Sequence, residues 1–171
     1  MGQGGSIMLS DNVVRLRPFQ NDSDDIDRAV AWYQDPEVLY FSEGPNTMPF
    51  DRHRVERMYQ FLAAHGELYW IDVWDNGQWW VVGDVTLSSD TMPIVIGEGR
   101  WRSQGIGSRV LALLIERARA LGWPCLIAKH IYADNIKSQR LFARHGFRVV
   151  HSGVDSRGQQ YYRYQLDLKS E

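Results

Sequence analysis

The segment Arg102-Ser103-Gln104-Gly105-Ile106-Gly107-Ser108 has the residue types and spacing to hold a ligand by its backbone. Glycines at 105 and 107 allow a tight turn and remove side chains that would hold a ligand away from the main chain. After them Ile106, Val110, Leu113, Leu114 and Leu121 recur at helical spacing, and Gly122 with Pro124 marks a stop. The first-turn amides of such a helix converge on one point, with the positive end of its dipole behind them, which suits phosphate. Arg100 and Arg102 would add charge with a fork geometry matched to phosphate oxygens. A Walker loop would end in Gly-Lys-Ser or Gly-Lys-Thr, whereas here Gly107 is followed by Ser108-Arg109. A dinucleotide fingerprint would need a third glycine where Val110 stands. On this short pattern alone, an ordinary glycine-containing turn is an equal reading.

A second segment lies downstream. Cys125-Leu126-Ile127-Ala128 reads as an apolar strand, followed by Asp134-Asn135-Ile136-Lys137-Ser138-Gln139-Arg140-Leu141-Phe142-Ala143-Arg144-His145-Gly146-Phe147. Either Asp134 or Asn135 can cap a short helix there. Ile136, Leu141 and Phe142 supply its apolar stripe and Gly146 ends it. Together, Arg-x-x-Gly-x-Gly and the later Asn-x-x-Ser-x-x-Leu-Phe-x-x-x-Gly-Phe resemble the two acetyl-CoA motifs of the Gcn5-related N-acetyltransferase (GNAT) superfamily. Ala31-Trp32-Tyr33-Gln34-Asp35-Pro36-Glu37-Val38 is similar to the branch containing ribosomal-protein N-terminal and aminoglycoside 6′-N-acetyltransferases. The resemblance is carried by motifs in the C-terminal half and by pattern alone in the N-terminal half.

The resemblance implies a transferase with acetyl-CoA as co-substrate, acting by direct attack of an amine on the thioester. The pyrophosphate would sit on Arg102, Ser103, Gln104, Gly105, Ile106, Gly107 and Ser108. The main chain of Ile96, Gly97 and Glu98 would pair with the pantetheine arm and polarise the acyl carbonyl. Asn135, Ser138 and Phe142 would face the arm from the other side. An amine nucleophile must lose a proton; Glu98 and, after Gly83, Asp84 are the candidate bases, though each could equally be a surface or salt-bridged acid. The family's general-acid tyrosine is replaced by Phe142, so either Tyr132 or solvent must protonate the departing thiolate, leaving Phe142 to pack against the cofactor.

Elements to position these groups are legible along the chain. Val13 to Arg17 reads as a strand, and Asp22–Asp25 opens a helix bearing Ile26, Ala29, Val30 and Tyr33 that Asp35-Pro36-Glu37 breaks. Asp51 caps a helix with Val55, Met58, Tyr59 and Leu62 on one face. Two strands, Tyr69–Trp74 and Trp79–Leu87, flank the hairpin signal Asp75-Asn76-Gly77. Ile94–Ile96 precedes the glycine loop, and Tyr161–Leu168 forms the last strand after Arg157-Gly158. The expected order is β-α-α-β-β-β-α-β-α-β-β, an α/β (α+β) fold with a mixed, mostly antiparallel central sheet of about seven strands and about four helices. Residues 1–10 read as a flexible tail and residues 11–171 as one acetyltransferase domain. Trp79 and Trp80, as strand neighbours, must face opposite ways. Trp32 would pack or wall an acceptor cleft.

Composition limits the partners. The 171 residues carry a net charge of −2, and a pI near 6.2 argues against a nucleic-acid binder. No apolar stretch suits a membrane span. The single cysteine, Cys125, cannot form an internal disulfide, which suits a reducing cytoplasm. The histidines show no paired metal-ligand spacing, and no metal is implied. Charge is uneven: residues 1–98 balance to −10 and residues 99–171 to +8. Solvated helix faces account for Glu116, Arg117 and Arg119, but the split would also serve an enzyme holding a polyphosphate in one half and a cation in the other. The favoured acceptor is therefore a small cationic amine, aminoglycoside-like or polyamine. A protein N-terminus or lysine is the alternative, with a non-catalytic acyl-CoA-binding module the third reading. Exposed tryptophans make a homodimer the oligomer to expect.

Overall fold

The computed structural model describes residues 6–169. Strands β1 (Leu9–Ser10), β2 (Val14–Pro18), β3 (Glu67–Asp75), β4 (Gln78–Leu87) and β5 (Ile94–Ile96) form one sheet in that spatial order. Strands β6 (Cys125–Tyr132), β7 (Arg148–Val154) and β8 (Gln160–Asp167) form a second, ordered β6-β8-β7. Neighbours within each sheet are antiparallel. The expected central sheet is thus divided, with edge strands β5 and β6 not paired to each other. The tail expected over residues 1–10 gives way to structure within that span, because Leu9 and Ser10 pair with Leu16 and Arg15; residues 1–5 lie outside the described residues.

The helices are α1 (Ser23–Trp32), α2 (Pro36–Glu43), α3 (Arg52–His65), α4 (Ile106–Ala120) and α5 (Ile136–Arg144). Asp22, Asp35, Asp51 and Asn135 cap α1, α2, α3 and α5 by accepting backbone N–H bonds in the first turn. The Asp-Pro-Glu break therefore does more than end α1: Asp35 with Pro36 behind it starts α2, an element beyond the expected order. Asn76 (φ 49°) and Gly77 (φ 80°) make the β3–β4 turn, where both central residues need positive φ.

Side chains of β3 alternate between two cores. Leu68 and Trp70 join Ile26, Ala29, Trp32, Tyr33, Val55 and Tyr59 under α1 and α3. Tyr69, Ile71 and Val73 join Val110, Leu111, Leu114 and Ala118 of α4 on the opposite face. That second core continues to Leu126, Phe142, Phe147 and Tyr164, so α4 and its neighbours hold the two sheets together.

Candidate active site

The glycine loop forms as the sequence implies. Ser103 (φ 59°) and Gly105 (φ 78°) turn the chain through left-handed conformations into α4. Gly105 is the N-cap and provides no side chain to satisfy the first turn. Arg109 is the first N–H to reach a helical carbonyl, that of Gly105 at 3.3 Å. The amides of Ile106, Gly107 and Ser108 before it are the orphan donors of the helix end. Gly107 packs closely on α5, since a Cβ there would lie 3.3 Å from Leu141 Cδ2. Ser108 Oγ is bonded to His145 Nε2 at 2.8 Å, so Ser108 offers this site its amide rather than its hydroxyl. Burial, reinforced by nearby Arg144, holds the His145 imidazolium pKa below its usual value.

The two arginines expected to supply charge here are engaged elsewhere. Arg102 donates from Nε to Ile96 O at 2.9 Å and from Nη2 to Gly97 O at 2.9 Å, and pairs with Asp35 at 3.0 Å and Glu37 at 3.3 Å. Arg100 pairs with Asp75 and lies over the Trp101 ring. The reason is proximity: the Gly99–Trp101 turn folds Arg102 back against the strand it has just left. Sequence reasoning passed over three other basic residues near this end of α4. Lys137, Arg140 and Arg144 are exposed on α5, which the Ser108–His145 bond and the Leu141–Gly107 contact hold beside the start of α4. Their spacing along one helix was the available signal.

Strand β5 presents an open edge. Gly97 N–H donates to Val82 O and Thr86 N–H to Pro93 O. With the alternation of an antiparallel ladder, this turns the N–H and C=O of Ile94 and Ile96 away from β4. At the end of the strand a bulge sends both Gly97 N–H (2.8 Å) and Glu98 N–H (3.1 Å) to Val82 O. The expectation that Gly97 and Glu98 amides polarise an acyl carbonyl is corrected accordingly: those donors are satisfied within the sheet, and Ile96 N–H is the outward one.

The two candidate bases occupy different environments. Glu98 is half-buried, and its Oε1 accepts from Trp32 Nε1 at 2.9 Å. Trp32 packs edge-on against Trp70 and lies so close to the bulge that a Cβ on Gly97 would come within 2.1 Å of its ring. Asp84 is 2% exposed, and its Oδ2 accepts from Tyr59 at 2.7 Å and Tyr33 at 2.9 Å. Burial pushes the Asp84 pKa up to about 6 against the opposing pull of those two hydroxyls. Both tyrosines are pushed well above their usual range, first by burial and then by the carboxylate. Asp84 is shut inside the α1–α3 core; Glu98 stands at its margin.

Phe142 is 3% exposed and packs between Phe147 and Tyr164 in the core. Its expected contact with cofactor is corrected: the helical stripe turns Phe142 inward, while Ile136, expected to be buried, is 46% exposed. Asn135 Oδ1 accepts from Ser138 N at 3.2 Å, so both residues build the start of α5. Tyr132 is buried at the end of β6, with its hydroxyl 3.5 Å from Asp155 Oδ2. Burial and that carboxylate raise its pKa. Arg157, in the β7–β8 turn, donates to Glu43 O (3.0 Å) and Pro45 O (3.1 Å), tying the second sheet to the end of α2.

A divided sheet, a glycine loop opening α4 and an outward strand edge beside a carboxylate together suit a thioester and an amine. A family model described as an acetyltransferase (GNAT) domain matches residues 14–148. The chain belongs to the GNAT acetyltransferase family, whose co-substrate is acetyl-CoA. No curated protein matches the chain. Among solved structures it resembles a GNAT-family acetyltransferase from Bacillus anthracis (13% identity, 95% of this chain and 99% of that one, TM-score 0.79). It also resembles a spermidine N-acetyltransferase from Vibrio cholerae, solved with CoA and spermine (14%, 92% and 97%, 0.75). A third is an acetyl transferase from Salmonella typhimurium that modifies the N-terminal serine of ribosomal protein L7/L12 (11%, 95% and 100%, 0.75). At these identities the likeness is one of fold.

Proposed function

We propose that this chain transfers the acetyl group of acetyl-CoA to a primary amine of a small cationic acceptor. The observation that carries the reading is the uncapped start of α4, with the outward edge of β5 and the half-buried Glu98 at the end of that strand. The amides of Ile106, Gly107 and Ser108 would hold the pyrophosphate, with Lys137, Arg140 and Arg144 supplying charge from α5. The outward N–H and C=O of Ile94 would pair with the pantetheine arm as a strand does, since Ile96 O already accepts from Arg102 Nε. Acetyl-CoA supplies an activated acyl carbon and a thiolate leaving group. Ile96 N–H is the donor available to the acyl oxygen. Glu98 takes the proton released as the amine nitrogen bonds to the acyl carbon, and the C–S bond breaks. Trp32 Nε1 fixes the carboxylate for that task, which makes Trp32 a positioning residue.

Solvent is the better proton source for the thiolate. A thiol titrates near 8.5 and a phenol near 10, and Tyr132 is raised further by burial and Asp155. Its proton is held more firmly than that of a free phenol, whereas a departed thiolate equilibrates with bulk solvent and is mostly protonated at neutral pH. A cationic acceptor fits Glu98, an acid of the N-terminal half that makes no ion pair among the described residues and stands at the margin of the core. No helix among the described residues is long and apolar enough to cross a membrane, and the lone Cys125 suits a reducing cytoplasm.

The test is acceptor-dependent thiol release from acetyl-CoA across aminoglycosides, polyamines and N-terminal peptides. Release with a polyamine or aminoglycoside supports the proposal, and release confined to peptides replaces the small amine with a protein acceptor. Tight acetyl-CoA binding without release by any acceptor would leave a binding module.

A further inference from the structure

A polar cavity of about 120 Å³ lies at the far edge of the α1 layer, lined by Arg15, Arg17, Asp25, Arg28, Asp72 and Trp79 among others. Its floor is a built ionic network rather than a loose patch. Asp72 is 1% exposed, and Arg15 Nε (2.7 Å) and Arg17 Nε (2.9 Å) both donate to its Oδ2. Arg17 also reaches Asp72 Oδ1 from Nη2 (3.2 Å) and Asp25 Oδ2 from Nη1 (3.1 Å). Arg17 is therefore bonded through all three of its nitrogens. Arg15 is bonded through Nε alone, and its guanidinium carbon lies over the Trp79 ring, 4.7 Å from the centroid. Among the described residues Arg28, exposed on α1, has no hydrogen-bond or ion-pair partner.

The charges do not balance. Three guanidinium groups line the cavity against the carboxylates of Asp25 and Asp72, and neutralising those carboxylates requires neither Arg28 nor the terminal nitrogens of Arg15. Both of these face a space that, at about 30 Å³ per water, has room for a few waters or one small oxyanion. Guanidinium forks pair bidentately with carboxylate and phosphate oxygens, and a fork stacked on tryptophan loses less freedom on doing so. We propose that this cavity binds a small oxyanion, a phosphate or a short dicarboxylate, between Arg15 and Arg28, at a site separate from the glycine loop.

Calorimetric titration with inorganic phosphate and with succinate tests this, each in the absence and presence of saturating CoA. The expected result is saturable binding of at least one anion that persists with CoA present, and the anion that binds identifies the source. Arg28→Gln should weaken it at least tenfold, and this exposed change removes no bond the fold uses. Arg15→Lys keeps a cation for Asp72 but loses the fork, and should weaken binding similarly without lowering the melting temperature of the chain. Absence of saturable binding, binding unaltered by Arg28→Gln, or binding abolished by CoA would each overturn the proposal. The last outcome would place the anion at the start of α4 instead.

Discussion

Two carboxylates fourteen positions apart in sequence have been given opposite fates by their surroundings. Glu98 keeps one side toward the site margin and one bond from Trp32, so Glu98→Gln should lower acceptor-dependent turnover by about 10²-fold or more while acetyl-CoA binding, followed by calorimetry, is unchanged. Asp84 is enclosed with two tyrosine hydroxyls. Its folded pKa of about 6 lies above the 3.8 of a free aspartate, so the native state holds a proton that the unfolded chain releases between those limits. Stability should therefore fall as pH rises from about 4 to about 6 and then level off, a loss of about 3 kcal/mol from this group. Asp84→Asn keeps an acceptor for Tyr33 and Tyr59 without the charge. It should raise the melting temperature above pH 6 and leave it unchanged below pH 4; equal shifts at both ends would contradict a buried, titrating Asp84.

At the scale of elements, the end of β5 is held by close contacts. Gly97 is present because the Trp32 ring occupies the place a Cβ would take, at 2.1 Å. Gly97→Ala must displace that ring and with it the bond to Glu98, so turnover should drop alongside a stability loss of about 1–3 kcal/mol, both measurable on one purified variant. Much of this level can be read without coordinates. Asn76-Gly77, the caps at Asp22 and Asp51, and the stripe of α4 are local signals, because turn φ values and helical periodicity depend on near neighbours. Helix α2 was hidden because Pro36 is both a terminator of α1 and a favourable first residue for the next helix. The same local logic misplaced Phe142, since an apolar stripe shows which residues are buried together but not whether they face a core or a ligand.

Over the whole molecule, the uneven charge of the two halves becomes mutual pairing. Arg102 to Asp35 and Glu37, Arg109 to Asp11, Arg117 to Glu67 and Arg100 to Asp75 all join a base after residue 98 to an acid before it. Arg117, expected on a solvated face, is 11% exposed in its bond with Glu67. Arg102→Ala strips donors from two carbonyls as well as its acids and should cost about 1–3 kcal/mol. Arg100→Ala, whose pair is largely exposed, should cost about 0–1 kcal/mol; comparing the two by thermal denaturation checks whether the buried tie matters. The sequence by itself determined the family, the loop that opens α4, the hairpins and the helix ends, because backbone turns and apolar periodicity are written in adjacent residues. Only the tertiary structure decided that the sheet divides, that Arg102 reaches back to the carbonyls of Ile96 and Gly97, that Gly97 and Glu98 amides close on Val82, and that Glu98 rather than Asp84 stands open. Each of these depends on which distant groups reach the same donor, acceptor or water, and that competition is settled by packing.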